Sequence, residues 1–172
     1  MGEKTAALFR LISHGVYVIG VTDGERRNAF TAAWVMQASF SPLMLVFSIN
    51  PEHYSYRLLQ AGGVCAINVL ADSQLDLAEH FGRSGIPDKM AMGDWRKGKT
   101  GAPVLGNALA WFDCRVSHYC QAGDHQLAVC TVVDAGPGKA GVPMLYGDTG
   151  NMDGSAGIYP DALRDNLKNK II

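Results

Sequence analysis

The feature that most narrows the fold is the spacing of short apolar, β-branched runs at residues 16–22, 28–37, 43–50, 64–70, 109–119, 126–135 and 143–146. Each has the length of a strand, and turn-forming residues such as Asp23 and Gly24 separate them. The first two runs, joined by that turn signal, read as a hairpin. Helical spacing is confined to short stretches. Residues 5–14 place Leu8, Leu11 and Ile12 on one face before Gly15; residues 53–59 suit a short helix over the sheet. Residues 73–81 offer Ser73 as N-cap and Leu75, Leu77, Ala78 and Phe81 as the apolar side. Residues 82–101 are polar and glycine-rich and read as a long loop, a kind often tied to function. Strands outnumber helices, at intervals suited to an antiparallel barrel, so the expected fold is mainly β with a few short helices.

The chain has 172 residues, nearly half of them apolar, enough for one domain over residues 1–172 with a polar tail from about 160. Fifteen basic against sixteen acidic residues leave no field to gather nucleic acid or an anionic membrane surface. No apolar run approaches the roughly twenty residues of a membrane span, and residues 1–10 lack a secretory signal, so a cytoplasmic protein with no membrane contact is expected. Cys65, Cys114, Cys120 and Cys130 lack Cys-x-x-Cys spacing, and His14, His80 and His118 lack ligand spacing, so neither a metal site nor a disulfide framework is expected.

Two stretches carry candidate chemistry. In residues 28–50, small side chains at Ala29, Ala32, Ala33 and Ala38 would let a planar ring approach the backbone. Ser48, Asn50, His53, Ser55 and Arg57 then follow an apolar run, a set of hydroxyl, amide, imidazole and guanidinium groups able to surround a phosphate. A helix starting near Tyr54 would add its free N–H groups to the same anion. Pro51 and His53 would equally serve as ordinary turn and capping residues.

The segment 28–50, with its run from Ser39 and Phe40 to Pro42, resembles the flavin reductase-like FMN-binding split barrels. The resemblance continues through residues 66–70, 78–82 with the later Asp88 and Lys89, 101–105, 114–116 and 123–125, and so spans roughly residues 5–150. It implies a split barrel that holds FMN and takes electrons from NAD(P)H. Asn28, Ala29, Phe30, Thr31, Ala32 and Ala33 would line the isoalloxazine, with Thr31 and Ser39 as hydrogen-bonding side chains and Trp34 flanking the ring. Alternatively Thr31, Trp34 and Ser39 simply fill alternate faces of a strand. Ser48, Asn50, His53, Ser55 and Arg57 would hold the FMN phosphate, and Lys89 is a further phosphate candidate or an ordinary solvated lysine. Trp34 stands where flavin-releasing members commonly have smaller polar residues, which implies a tightly held flavin.

Within the same resemblance, His125 is the candidate catalytic residue, beside the nicotinamide; it is assigned to donor binding before proton movement, because hydride transfer needs no side-chain acid or base. Neither nucleotide is expected to be held by a Rossmann turn. The family further implies a homodimer with pockets near its interface. The expected activity is an NAD(P)H-dependent FMN reductase. Two alternatives are a flavoredoxin-type electron carrier served by a redox protein partner and a non-enzymatic split barrel that binds another ligand such as haem.

Overall fold

A computed structural model describes residues 2–154 and 157–159; the polar tail expected from 160 lies outside them. A short helix α1 (Gly2–Phe9) precedes strands β1 (Tyr17–Thr22), β2 (Arg27–Ala32), β3 (Val35–Phe40) and β4 (Leu43–Ile49). Helix α2 (Tyr54–Gly62), strand β5 (Val64–Val69) and helix α3 (Leu75–Gly82) follow. The hairpin β6 (Trp95–Lys97) and β7 (Pro103–Leu105) then leads into two long strands, β8 (Ala110–Ala122) and β9 (His125–Pro137). Seven strands form one antiparallel sheet in the order β2-β1-β5-β8-β9-β4-β3, with β6-β7 as a separate pair. The mainly β architecture with short helices is therefore the observed one.

Cross-strand register separates the faces of this sheet. Ile19 opposes Phe30 on one side and Ile67 on the other, and Cys65 opposes Cys114, so these side chains point into the barrel with Phe47, Ile49 and Cys130. Helix α2 closes the barrel by burying Tyr56, Leu58 and Leu59 among them. The alternate residues point outward. There Val18 and Ala29 pack beneath Leu77, Ala78 and Phe81 of α3, and Val64 and Ala66 beneath Ala102 and Val104 of the hairpin. Phe81 is almost fully buried, and its truncation to Ala would cost about 3–5 kcal/mol. Gly20 lets the hairpin lie directly on β1, since a Cβ there would come within 2.2 Å of the Pro103 carbonyl oxygen.

Five local expectations are corrected. Residues 28–37 are not one strand: Trp34 O accepts from Ser48 N at 3.0 Å, so the chain leaves β1 after Ala32 and pairs with β4 instead. This puts β2 and β3 on opposite edges of the sheet. Helix α1 ends at Phe9, short of residue 14, and its expected inner face stays open, with Leu8, Leu11 and Ile12 exposed. Ser73 does not cap α3. Gln74 stands at that position, and its amide accepts from Ala71 N and donates to Asn107 O, tying the helix start to the turn before β8. The loop at 82–101 contains a 3-10 turn, Lys89–Ala91, and the strand β6, whose Trp95 packs edge-on against Phe81 at 5.5 Å. Residues 143–146 make only isolated bridges, Ala71 to Pro143 and Gly15 to Leu145; a proline has no N–H to extend a ladder.

Candidate flavin site

A cavity of about 730 Å³ opens along the free edge of β2. An edge strand leaves alternate backbone N–H and C=O groups unpaired, which makes this rim a row of polar contacts before any side chain is considered. The cavity is walled by β2 on one side, by the first turn of α2 on a second, and by the end of α3 with the loop through Met90 on a third. Three segments remote in sequence thus meet because β2 lies at the edge and both helices pack beside it.

Of the residues predicted from sequence, Asn28, Phe30, Thr31, His53, Ser55, Arg57 and Lys89 line this cavity. Asn28 Nδ2 donates to Ser55 Oγ at 3.0 Å, linking the strand to the helix. Ser55 is buried and sits in the first turn of α2, where backbone N–H groups lack partners within the helix. Thr31 Oγ1 donates to Ala78 O at 2.7 Å, so its proton is committed to α3 and only its lone pairs face outward. Gly82 stands near it, where an added Cβ would lie 3.9 Å from Thr31.

Lys89 is held by the fold as much as by any ligand. Its ammonium donates to Phe81 O at 2.8 Å and Arg83 O at 2.6 Å, closing the C-terminal end of α3, and one N–H remains for the cavity. Partial burial holds this ammonium below the usual lysine range. His53 is also held below its ordinary value, first by desolvation, then by the positive charges of His125 and Lys89, with Glu52 opposing. Arg27, Arg57 and Lys89 line the cavity, together with the carboxylates of Glu52 and Asp88.

The remaining predicted residues lie apart from this lining. Ala29 is buried under α3, and Ser39 lies on β3 beside the irregularity in its pairing with β4. Ser48 sits on β4 opposite Leu127. The Asn50 side chain accepts from Glu52 N at 2.9 Å and shapes the turn into α2. Ala32 ends β2, and Ala33 follows it just before Trp34. Trp34 packs against His125 with ring centroids 5.2 Å apart, and His125 Nδ1 meets Asp124 Oδ1 at 2.9 Å at the β8–β9 turn. That contact holds the exposed Asp124 carboxyl below its usual range. His125 also lies near His53, which lines the cavity. Sequence reasoning missed Arg27, Tyr54, Gly82 and the loop residues Ser84, Gly85 and Ile86. The loop's polarity was its only signal, and Arg27 reads as a plain strand-end arginine until β2 is seen to be an edge.

Comparison with known proteins decides the family: the model described as "Flavin reductase like domain" matches residues 9–155. The chain belongs to that family. This flavin reductase-like chain is similar to the FMN reductase (NADH) RutF of Agrobacterium fabrum, 38% identical over 118 residues that cover 67% of this chain and 68% of that protein. It is also similar to the FMN reductase (NADH) RutF of Variovorax paradoxus, 36% identical over 129 residues that cover 74% of this chain and 72% of that protein. Among solved structures, the NADH:FAD oxidoreductase SgcE6 of Streptomyces globisporus superposes with a TM-score of 0.75 at 27% identity, covering 82% of this chain and 86% of that one. BorF, the flavin reductase component of a bacterial two-component tryptophan halogenase, superposes with a TM-score of 0.77 at 25% identity, covering 85% of this chain and 93% of that one. No helix among the described residues of this flavin reductase-like chain is long and apolar enough to cross a membrane.

Proposed function

We propose that this chain is a cytoplasmic NADH-dependent FMN reductase that holds FMN in the cavity along the free edge of β2. The observation that carries the reading is the meeting, in that one cavity, of an unpaired strand edge with Ser55, Arg57, Lys89 and the first turn of α2. The residues fit the group: the free backbone groups of an edge strand suit the polar rim of a planar ring, and Arg57, Ser55 and Lys89 in the same lining suit a phosphate.

In this reading Arg57, Ser55 and the free N–H groups of α2 hold the phosphate, and Lys89 adds its remaining proton. Asn28 keeps Ser55 in place. The backbone of residues 28–33 meets the polar edge of the ring, with Phe30 and Thr31 beside it, while Trp34 and His125 form the side on which the nicotinamide docks. Bound FMN supplies a two-electron acceptor for hydride. The chain's own residues bind, orient and exclude water; none has to move a proton for the hydride to pass. The names of the RutF relatives support both nucleotides.

The same reading includes a homodimer. Strand β3 is a free edge whose Met36 and Phe40 are exposed, with Trp34 and Leu43 exposed at its two ends, an arrangement that a second copy would cover.

The test is the absorption spectrum of freshly purified protein reconstituted with FMN, followed by anaerobic mixing with NADH. Stoichiometric flavin absorbance that bleaches on mixing supports the reading. A Soret band in its place, or bound flavin that NADH leaves oxidised while a reduced redox protein bleaches it, overturns it. Sedimentation over a dilution series reads the dimer, and a monomer at every concentration removes that part.

A further inference from the structure

A second surface cavity, of about 430 Å³, opens on the outer face of the sheet beneath the β6–β7 hairpin. Strand register puts four residues in one row: Arg27 opposes Thr22, Thr22 opposes Val64, and Val64 opposes Arg115. Directly opposed residues point to the same side of a sheet, so Arg27 and Arg115 share this face, three strand spacings or about 14 Å apart. Arg96 and Lys97 enter the same cavity from the hairpin. Four of the chain's fifteen lysines and arginines therefore gather here in a molecule whose net charge is −1.

None of the four takes part in an ion pair among the described residues. Two carboxylates also line the cavity. That of Asp23 is committed, accepting from Arg26 Nε and Nη2 at 2.9 and 2.6 Å, which leaves Glu25 as the uncommitted one. The hairpin that carries Arg96 and Lys97 is anchored. Asp113, fully buried under the hairpin, accepts from Thr100 N at 2.7 Å and Thr100 Oγ1 at 2.5 Å, and so fixes the turn that follows Lys97. The Arg96 guanidinium lies 4.3 Å from the centroid of the Trp111 ring.

Arg27 lines this cavity and the flavin cavity alike, so the two meet at its side chain. Guanidinium groups match phosphate oxygens in geometry as well as charge. A row this long, with cations at both ends and above it, exceeds what one phosphate can engage. We infer that this second cavity binds the diphosphate group of a nucleotide. That chemistry has two sources: the adenosine diphosphate half of a flavin dinucleotide whose ring occupies the first cavity, or a free nucleoside diphosphate. The first source rests on the flavin reading above; the second does not.

The experiment is calorimetric titration with ADP at low ionic strength, using the wild-type chain and the double variant Arg96→Gln, Arg115→Gln. One ADP per chain is expected, weakened at least tenfold in the double variant, with adenosine not binding and FMN affinity held within twofold because neither residue lines the first cavity. All four cations are solvent-exposed, so the fold should survive; melting curves check this, and the single variants Lys97→Gln and Arg115→Gln repeat the titration if the double variant unfolds. FAD binding at least tenfold tighter than FMN, an advantage lost in the double variant, identifies the dinucleotide as the source. ADP binding that is indifferent to preloaded FMN and to excess NADH, with FAD and FMN equal, identifies the free nucleotide, whereas ADP displaced by NADH places it in the donor's site and overturns the inference. Absence of both ADP binding and an FAD preference in the wild type, or affinities unchanged in the double variant, overturns the inference. Failure to bind FMN would instead count against the flavin reading and leave the ADP result standing.

Discussion

Asn28 on the edge strand donates from its side-chain amide to the Ser55 hydroxyl in the first turn of α2, at 3.0 Å. The bond fixes the distance between the two walls of the flavin cavity. Replacing Asn28 with Ala leaves Ser55 buried without this partner, at a cost of about 1–3 kcal/mol. A lower denaturation midpoint together with weaker FMN binding, read by chemical denaturation and flavin fluorescence quenching, is the expected result. Ser55→Ala alone should weaken FMN while costing less stability.

FMN should bind more tightly than riboflavin, because the Arg57 end of the cavity is assigned to the phosphate. A charge-assisted hydrogen bond there contributes about 1.5–3 kcal/mol, so Arg57→Gln should weaken FMN roughly tenfold to a hundredfold and leave riboflavin nearly unchanged. Calorimetric titration of both ligands against both proteins checks this. Equal affinities in the wild type would remove the phosphate assignment.

His125→Ala should slow flavin reduction by NADH with FMN still bound. The imidazole packs on Trp34 and stands outside the lining that holds Ser55 and Arg57. Stopped-flow reduction rates per bound flavin, measured against NADH concentration, would place the loss in donor binding. Release of FMN with an unaltered rate per bound flavin would reverse the assignment of sides.

His53 predicts a pH dependence with a definite sign. Its folded-state value lies below the ordinary one, through desolvation and the nearby cations His125 and Lys89, so the unfolded chain binds the proton more readily. Stability linked to this residue is therefore unaffected above the unfolded value of about 6.5 and falls as the pH drops below it. His53→Gln should show a shallower loss than the wild type between about pH 6.5 and 5, in denaturation midpoints compared across that window. Parallel curves would show that His53 does not carry the effect.

The strands, the turn at Asp23 and the family were legible in the sequence because each depends on neighbours along the chain. Alternating side chains mark a half-buried strand whatever surrounds it, and residues 43–50 and 64–70 could be read from their own composition as β4 and β5. Ser55, Arg57, His53 and Lys89 were recognisable as groups suited to a phosphate. Their convergence with Asn28 and Thr31 was not, because it follows from β2 ending the sheet and from α2 and α3 packing at that edge. Tertiary structure likewise decided that Ser48, Asn50 and Ser39 stand outside the cavity lining: pairing with β9, capping of a turn and a place on the opposite edge take them elsewhere. The break at Trp34 has the same origin. Local preference favours a continuous strand through residue 37, and the bond from Ser48 N to Trp34 O, which extends the β3–β4 ladder, competes with it and turns the chain away. Local chemistry thus wrote the elements and the types of functional group, while long-range strand pairing selected which of those groups meet.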